Sequence, residues 1–132
     1  MDPAVDMVCE GKAEWREAFR ARTKCYASVT VRFYISLPKN REEVSVLGRQ
    51  LLRSGTSVAA QYREASRARS DAEFVSKIEC CVQEADESML WLELLRDDCG
   101  IRDDRLDLLL KESDELIAIF VTMAKNVKQR RS

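Results

Sequence analysis

The sequence predicts an all-α protein, an antiparallel up-down-up-down four-helix bundle. Its 132 residues include only four glycines and two prolines, too few turn formers for a many-stranded β fold. Four segments repeat apolar residues at alternating spacings of three and four, the period of a helix with one buried face. Apolar residues make up 45% and charged residues 34%, the balance of a globular chain. One domain is expected at this length, over residues 13–132, preceded by a flexible N-terminal arm over residues 1–12.

In the first segment Trp15, Phe19, Arg22, Tyr26, Val29 and Phe33 form the seam, with the arginine stem able to snorkel past its apolar neighbours. The run Val29–Thr30–Val31 has strand propensity, but the helical spacing on both sides outweighs it. Leu37-Pro38 ends the segment, because a residue before proline is pushed out of the α region. Asn40 is the expected N-cap of the second helix, with Glu42 and Glu43 at its positive end. Val44, Leu47, Leu51, Gly55, Val58, Tyr62 and Ala65 carry its seam.

Ser70 and Glu73 form a capping box for a third helix from Asp71 to Cys99. Phe74, Ile78, Cys81, Ala85, Ser88, Leu92 and Leu95 are its seam, and Gly100 supplies the stop. Leu106, Leu109, Ser113, Leu116, Phe120, Met123 and Val127 mark the fourth helix. It closes on Lys125, Lys128, Arg130 and Arg131, cations at the negative end of the helix dipole. Helices of about 22 to 29 residues are roughly 33–44 Å long and pack economically as a bundle.

Two helices carry more than a seam. The third has a second apolar stripe, Val75, Val82 and Met89, with Leu90, Trp91 and Leu94 near its end. Such a stripe serves either a thick core or a subunit interface, for which Trp15, Val82, Met89 and Trp91 are the candidate contacts. The second helix is rich in small residues, Gly48, Ser54, Gly55, Ala59 and Ala60. Glycine costs about 1 kcal/mol relative to alanine inside a helix, so Gly48, Gly55 and Ala59 point to close helix packing or, less simply, to a ligand-contacting surface. A phosphate loop is excluded, because the glycines are seven apart and Thr56 rather than lysine follows the second.

The formal net charge of −1 hides segregation: +2 over residues 1–40, +3 over 41–69, −10 over 70–117 and +4 over 118–132. The second helix's cations are all arginine, whose planar fork suits carboxylates and phosphates. They either pair with Glu84, Asp86 and Glu87 of the third helix or across subunits, or present a surface for nucleic-acid backbone. Arg49, Arg53, Arg63 and Arg67 are the candidates for that surface, joined by Lys125, Lys128, Arg130 and Arg131 at the C-terminus.

There is no histidine, which removes the commonest general base and metal ligand. Five cysteines without framework spacing read as reduced thiols rather than as a disulfide scaffold. No metal site, cofactor or catalytic residue is expected, and the chain reads as a non-enzyme; a small-molecule or metal-binding bundle is the remote alternative. The first residues lack a signal-peptide pattern, and the longest uncharged apolar stretch, from Leu116 up to Lys125, is far short of a membrane span. A cytoplasmic location is the expectation.

The stretch Leu47-Gly-Arg-Gln-Leu-Leu-Arg-Ser-Gly-Thr-Ser-Val-Ala-Ala-Gln-Tyr-Arg-Glu-Ala65, with Arg67-Ala-Arg-Ser70 and Ala72-Glu-Phe-Val-Ser-Lys-Ile78, resembles a bacterial family. So does Glu84-Ala-Asp-Glu-Ser-Met-Leu-Trp-Leu-Glu-Leu-Leu95. These are the small four-helix bundle proteins first noted in intervening sequences of ribosomal RNA genes, related to the accessory variability proteins of diversity-generating retroelements. The match runs from about Arg22 to Leu95; the fourth helix is generic. Where relatives commonly carry Gly-Ala-Asn before the Tyr-Arg pair, this chain reads Ala59-Ala60-Gln61. The resemblance implies a homo-oligomer, a ring of five among characterised relatives, with no established enzymatic activity. It also implies RNA or DNA and a protein such as a reverse transcriptase as partners, and a pure protein–protein adaptor is the alternative.

Overall fold

A computed structural model describes residues 12–131 as four helices: α1 (Lys12–Ser36), α2 (Glu42–Ser66), α3 (Asp71–Asp97) and α4 (Asp104–Arg131). No strand occurs among the described residues. Each helix packs on the next in sequence, most extensively α2 on α3 and α3 on α4, and α4 closes back on α1. This is a four-helix bundle. The expected arm lies outside the described residues except for Lys12, which opens α1.

Helix ends follow local chemistry in three of four places. The Ser70 side chain accepts from the Glu73 N–H at 3.1 Å, and Glu73 accepts in return from the Arg69 N–H. Gly100 takes φ +71°, which lets Cys99 and Ile101 donate to the last free carbonyls of α3, Leu94 and Leu95. The Asp103 carboxylate accepts from the Arg105 N–H at the start of α4. The second helix corrects the sequence reading: its N-cap is Arg41, not Asn40, and no side chain caps it. Arg41 is held instead by Glu43 and, across the bundle end, by the carbonyl of Cys99 at 3.0 Å.

The seams bury as spaced. Phe33, Leu51, Ile78, Leu92, Leu109, Leu116 and Phe120 are wholly enclosed, each contributing roughly 1.5–3 kcal/mol by leaving water. Towards the end where α2 turns into α3, Phe19 meets Tyr62 and Phe120 edge-on at centroid distances of 4.9 and 5.5 Å. The second stripe of α3 largely thickens this core, with Val75 buried and Val82 and Trp91 packed against it.

Midway along the bundle the apolar core is interrupted by hydroxyls, one from each helix. Ser54 and Ser88 are hydrogen-bonded at 2.7 Å, and Tyr26 and Ser113 at 2.6 Å. Burial raises the pKa of Tyr26, and its bond to Ser113 opposes that rise. Ser88 and Ser113 donate onward to carbonyls in their own helices, so the buried oxygens are satisfied.

Beside this layer α1 and α2 approach closely. A Cβ on Gly55 would lie 2.7 Å from Thr30 Cγ2, and Thr30 is wholly buried with its hydroxyl bonded to the Tyr26 carbonyl. A Cβ on Gly48 would lie 2.8 Å from Leu37 Cδ1, the free tip of a flexible side chain. Ala59 is buried on the same helix. Overpacking at Gly55 therefore costs about 1–3 kcal/mol, more than the roughly 1 kcal/mol that alanine gains by helix propensity. Gly55→Ala lowers the urea midpoint, whereas Gly48→Ala holds or raises it. Equal midpoints for the two variants would contradict the rigid Thr30 contact.

Candidate nucleic-acid-binding face

Arg49, Arg53 and Ala60 are separated by four and seven residues, which at 100° per residue places them within about 40° on one side of α2, and Arg67 follows as the C-cap of that helix. All four are exposed. The stripe runs about 27 Å along the bundle. Among the described residues no carboxylate lies within ion-pair distance of Arg49, Arg53 or Arg67, so the expected pairing with Glu84, Asp86 and Glu87 inside the bundle does not form. Arg53 reaches Glu84 only through its field.

Arg63 departs from this stripe. It is half-buried, with Nε enclosed and without an acceptor among the described residues. The C-terminal candidates are exposed at Lys125, Lys128 and Arg130, and Lys128 pairs with Glu79 at 2.9 Å. That pair is half in water and contributes little. Arg131 ends α4; its side chain lies outside the described residues.

Ion pairs concentrate elsewhere. Arg22, read as an interruption of the apolar seam, grips Glu112 with two bonds of 2.8 Å across α1 and α4. Arg41, Arg96 and Arg105 pair with Glu43, Asp97 and Asp103 around the end of the bundle that holds the α3–α4 turn. Three further exposed or half-exposed cations on α1, Arg16, Arg20 and Lys24, have no ion pair among the described residues. Sequence spacing does not single them out; packing brings Arg16 to the same cleft as Arg69 of the α2–α3 turn.

The expected interface residues divide. Trp15 is 6% exposed and stacked on Phe19 at 4.9 Å, so the core takes it and leaves little of it for a partner. Val82 and Met89 are half-buried. Trp91 is half-buried too, with its indole N–H enclosed and unpartnered, and Leu90 beside it is 47% exposed. No helix among the described residues is long and apolar enough to cross a membrane, and no group of three metal-ligating side chains occurs among them.

The 23S rRNA-intervening sequence protein family matches residues 13–122. The chain belongs to that family. Among solved structures, a family member's fold recurs in a protein of unknown function from the S23 ribosomal protein family of Bacteroides thetaiotaomicron VPI-5482. The two are 31% identical with a TM-score of 0.75, over 83% of this chain and 97% of that one. Comparison with curated proteins finds no match. The likeness thus covers nearly the whole bundle of this intervening-sequence protein, α4 included up to residue 122.

Glu84 lies between the acidic α3 and the basic face. Burial pushes its carboxyl above the usual carboxylate range, Glu87 adds to the rise, and Arg53 opposes it. A carboxyl that holds its proton more tightly when folded favours the fold below its unfolded pKa. That contribution is lost as pH rises through the folded value. Glu84→Gln therefore melts at a higher temperature than the parent at about pH 7, and the difference disappears near pH 4. Thermal melts at the two pH values check this; a variant less stable at neutral pH would contradict it.

Proposed function

We propose that this intervening-sequence protein is a non-catalytic, self-associating interaction module that engages nucleic-acid backbone through the outer face of α2. The observation that carries the reading is the exposed Arg49, Arg53 and Arg67 stripe with no carboxylate neutralising it among the described residues. Backbone phosphates are the ligand such a row fits, because it offers charge and bidentate donors at intervals but no base-reading geometry. The family's description names the 23S rRNA intervening sequence, which makes RNA the first ligand to test. The basic end of α4 extends the surface, and no step of chemistry is assigned to any residue.

A protein partner is the second reading, supported by the exposed Leu90 beside the half-buried Trp91. Self-association is the form of it that the family resemblance favours.

Fluorescence anisotropy with a labelled single-stranded RNA tests the first reading. Affinity falls steeply between about 50 and 200 mM salt, and the triple variant Arg49→Gln/Arg53→Gln/Arg67→Gln reduces the log–log salt slope by about 2. Absence of binding at low salt leaves only a protein partner. Light scattering over micromolar concentrations reports a mass that is a multiple of the chain's 15.2 kDa; a strict monomer removes self-association.

A further inference from the structure

A cleft of about 380 Å³ opens at the basic end of the bundle, between the start of α1, the α2–α3 turn and the end of α4. Arg16, Arg69 and Arg130 line it, one from each of those segments. None of their guanidinium groups has an ion pair or hydrogen bond to another described residue. Asp71 is the one carboxylate in the lining among the described residues, which together give the cleft a formal surplus of two positive charges. At the opposite end of the bundle arginines of the same kind are paired with acids.

The rest of the lining is of another character. Trp15, Tyr62 and Phe74 form part of it, with Phe74 half-exposed. Arg16 stands close enough to Tyr62 for its charge to oppose the burial that pushes that phenol up to about 12. Asn126, half-buried in the same lining, makes no hydrogen bond to another described residue, leaving an amide with both a donor and an acceptor.

We propose that this cleft binds a phosphorylated nucleotide. A phosphomonoester carries about −1.5 to −2 charges at neutral pH, which matches the surplus. Arginine forks grip its oxygens in pairs. Phe74, the half-exposed ring of the lining, offers a face on which a base stacks, and the Asn126 amide meets polar atoms on its edge. The volume sits at the lower end of the range for small-ligand sites, enough for one nucleotide rather than a longer segment. The nucleotide is either free or the terminal residue of an RNA strand. The cleft uses none of the exposed α2 arginines and shares only Arg130 with the surface proposed for backbone binding, so its Arg16 and Arg69 test stands or falls separately from that reading.

Titration of the full chain with adenosine 5′-monophosphate, adenosine and inorganic phosphate, followed by calorimetry and Trp15 fluorescence, tests the site. Binding of the monophosphate is expected to be at least about tenfold tighter than that of adenosine. It falls at least about tenfold in Arg16→Gln/Arg69→Gln, and is unchanged in Lys111→Gln, which removes an exposed cation outside the cleft. If the double variant unfolds by circular dichroism, Arg130→Gln alone carries the same expectation.

A 5′-phosphorylated oligoribonucleotide and its 5′-hydroxyl twin separate the two sources. A preference for the phosphorylated strand over free monophosphate assigns the strand end, and the reverse assigns the free nucleotide. Equal affinity for adenosine and its monophosphate overturns the proposal. So does absence of binding by both the monophosphate and the phosphorylated strand up to about 1 mM.

Discussion

The arrangement of the bundle turns on its central hydroxyl layer. An apolar seam of leucines and valines tolerates sliding by a turn with little penalty, because one methyl group packs much like another. Four hydroxyls that must find one another do not. A turn's slip of α3 separates Ser88 from Ser54, and one of α4 separates Ser113 from Tyr26, leaving buried oxygens unsatisfied at about 1–3 kcal/mol each. The apolar residues thus supply most of the driving force, and the polar layer selects the register in which it is realised.

That register has consequences at the surface. Gly55 sits one residue from Ser54, so the hydroxyl layer and the close approach of α1 to α2 are fixed together. With α2 seated on α1 through its glycines, the side opposite carries Arg49, Arg53 and Arg67 into solvent. The same seating sets the α2–α3 turn beside the start of α1, which assembles the three-arginine cleft from segments far apart in sequence. Neither surface is a property of one helix.

Periodicity alone made the four helices legible, and the breakers located their ends at Leu37-Pro38, Ser70 and Gly100. The N-cap of α2 was not legible. A side-chain cap at Asn40 is worth about 1 kcal/mol, and a tertiary bond from Arg41 to the Cys99 carbonyl overrides it. Trp15 misled for a related reason: a large aromatic at a helix end reads as an anchor for a partner until Phe19 is found stacked on it. The arginine stripe was visible as a composition, but its lack of acidic partners was not. Ion pairing depends on which faces adjoin, and Glu84 of α3 feels Arg53 through its field without forming an ion pair with it.

Charge in this molecule is unevenly satisfied rather than merely unevenly distributed. Where acids and arginines are both plentiful, around the α3–α4 turn, they pair over one or two residues of sequence, as Arg96 does with Asp97 and Arg105 with Asp103. Such local pairs add little stability but quench the local field. At the other end Arg16, Arg69 and Arg130 form no such pairs among the described residues, and their mutual repulsion opposes the packing that brings them together. Repulsion of this kind is weak in water and salt, which is why the fold tolerates it. An anion that enters between the three cations relieves it and gains their donors at once. The bundle end is therefore organised as a receptor for negative charge, while the near-neutral total keeps the rest of the surface from attracting polyanions indiscriminately.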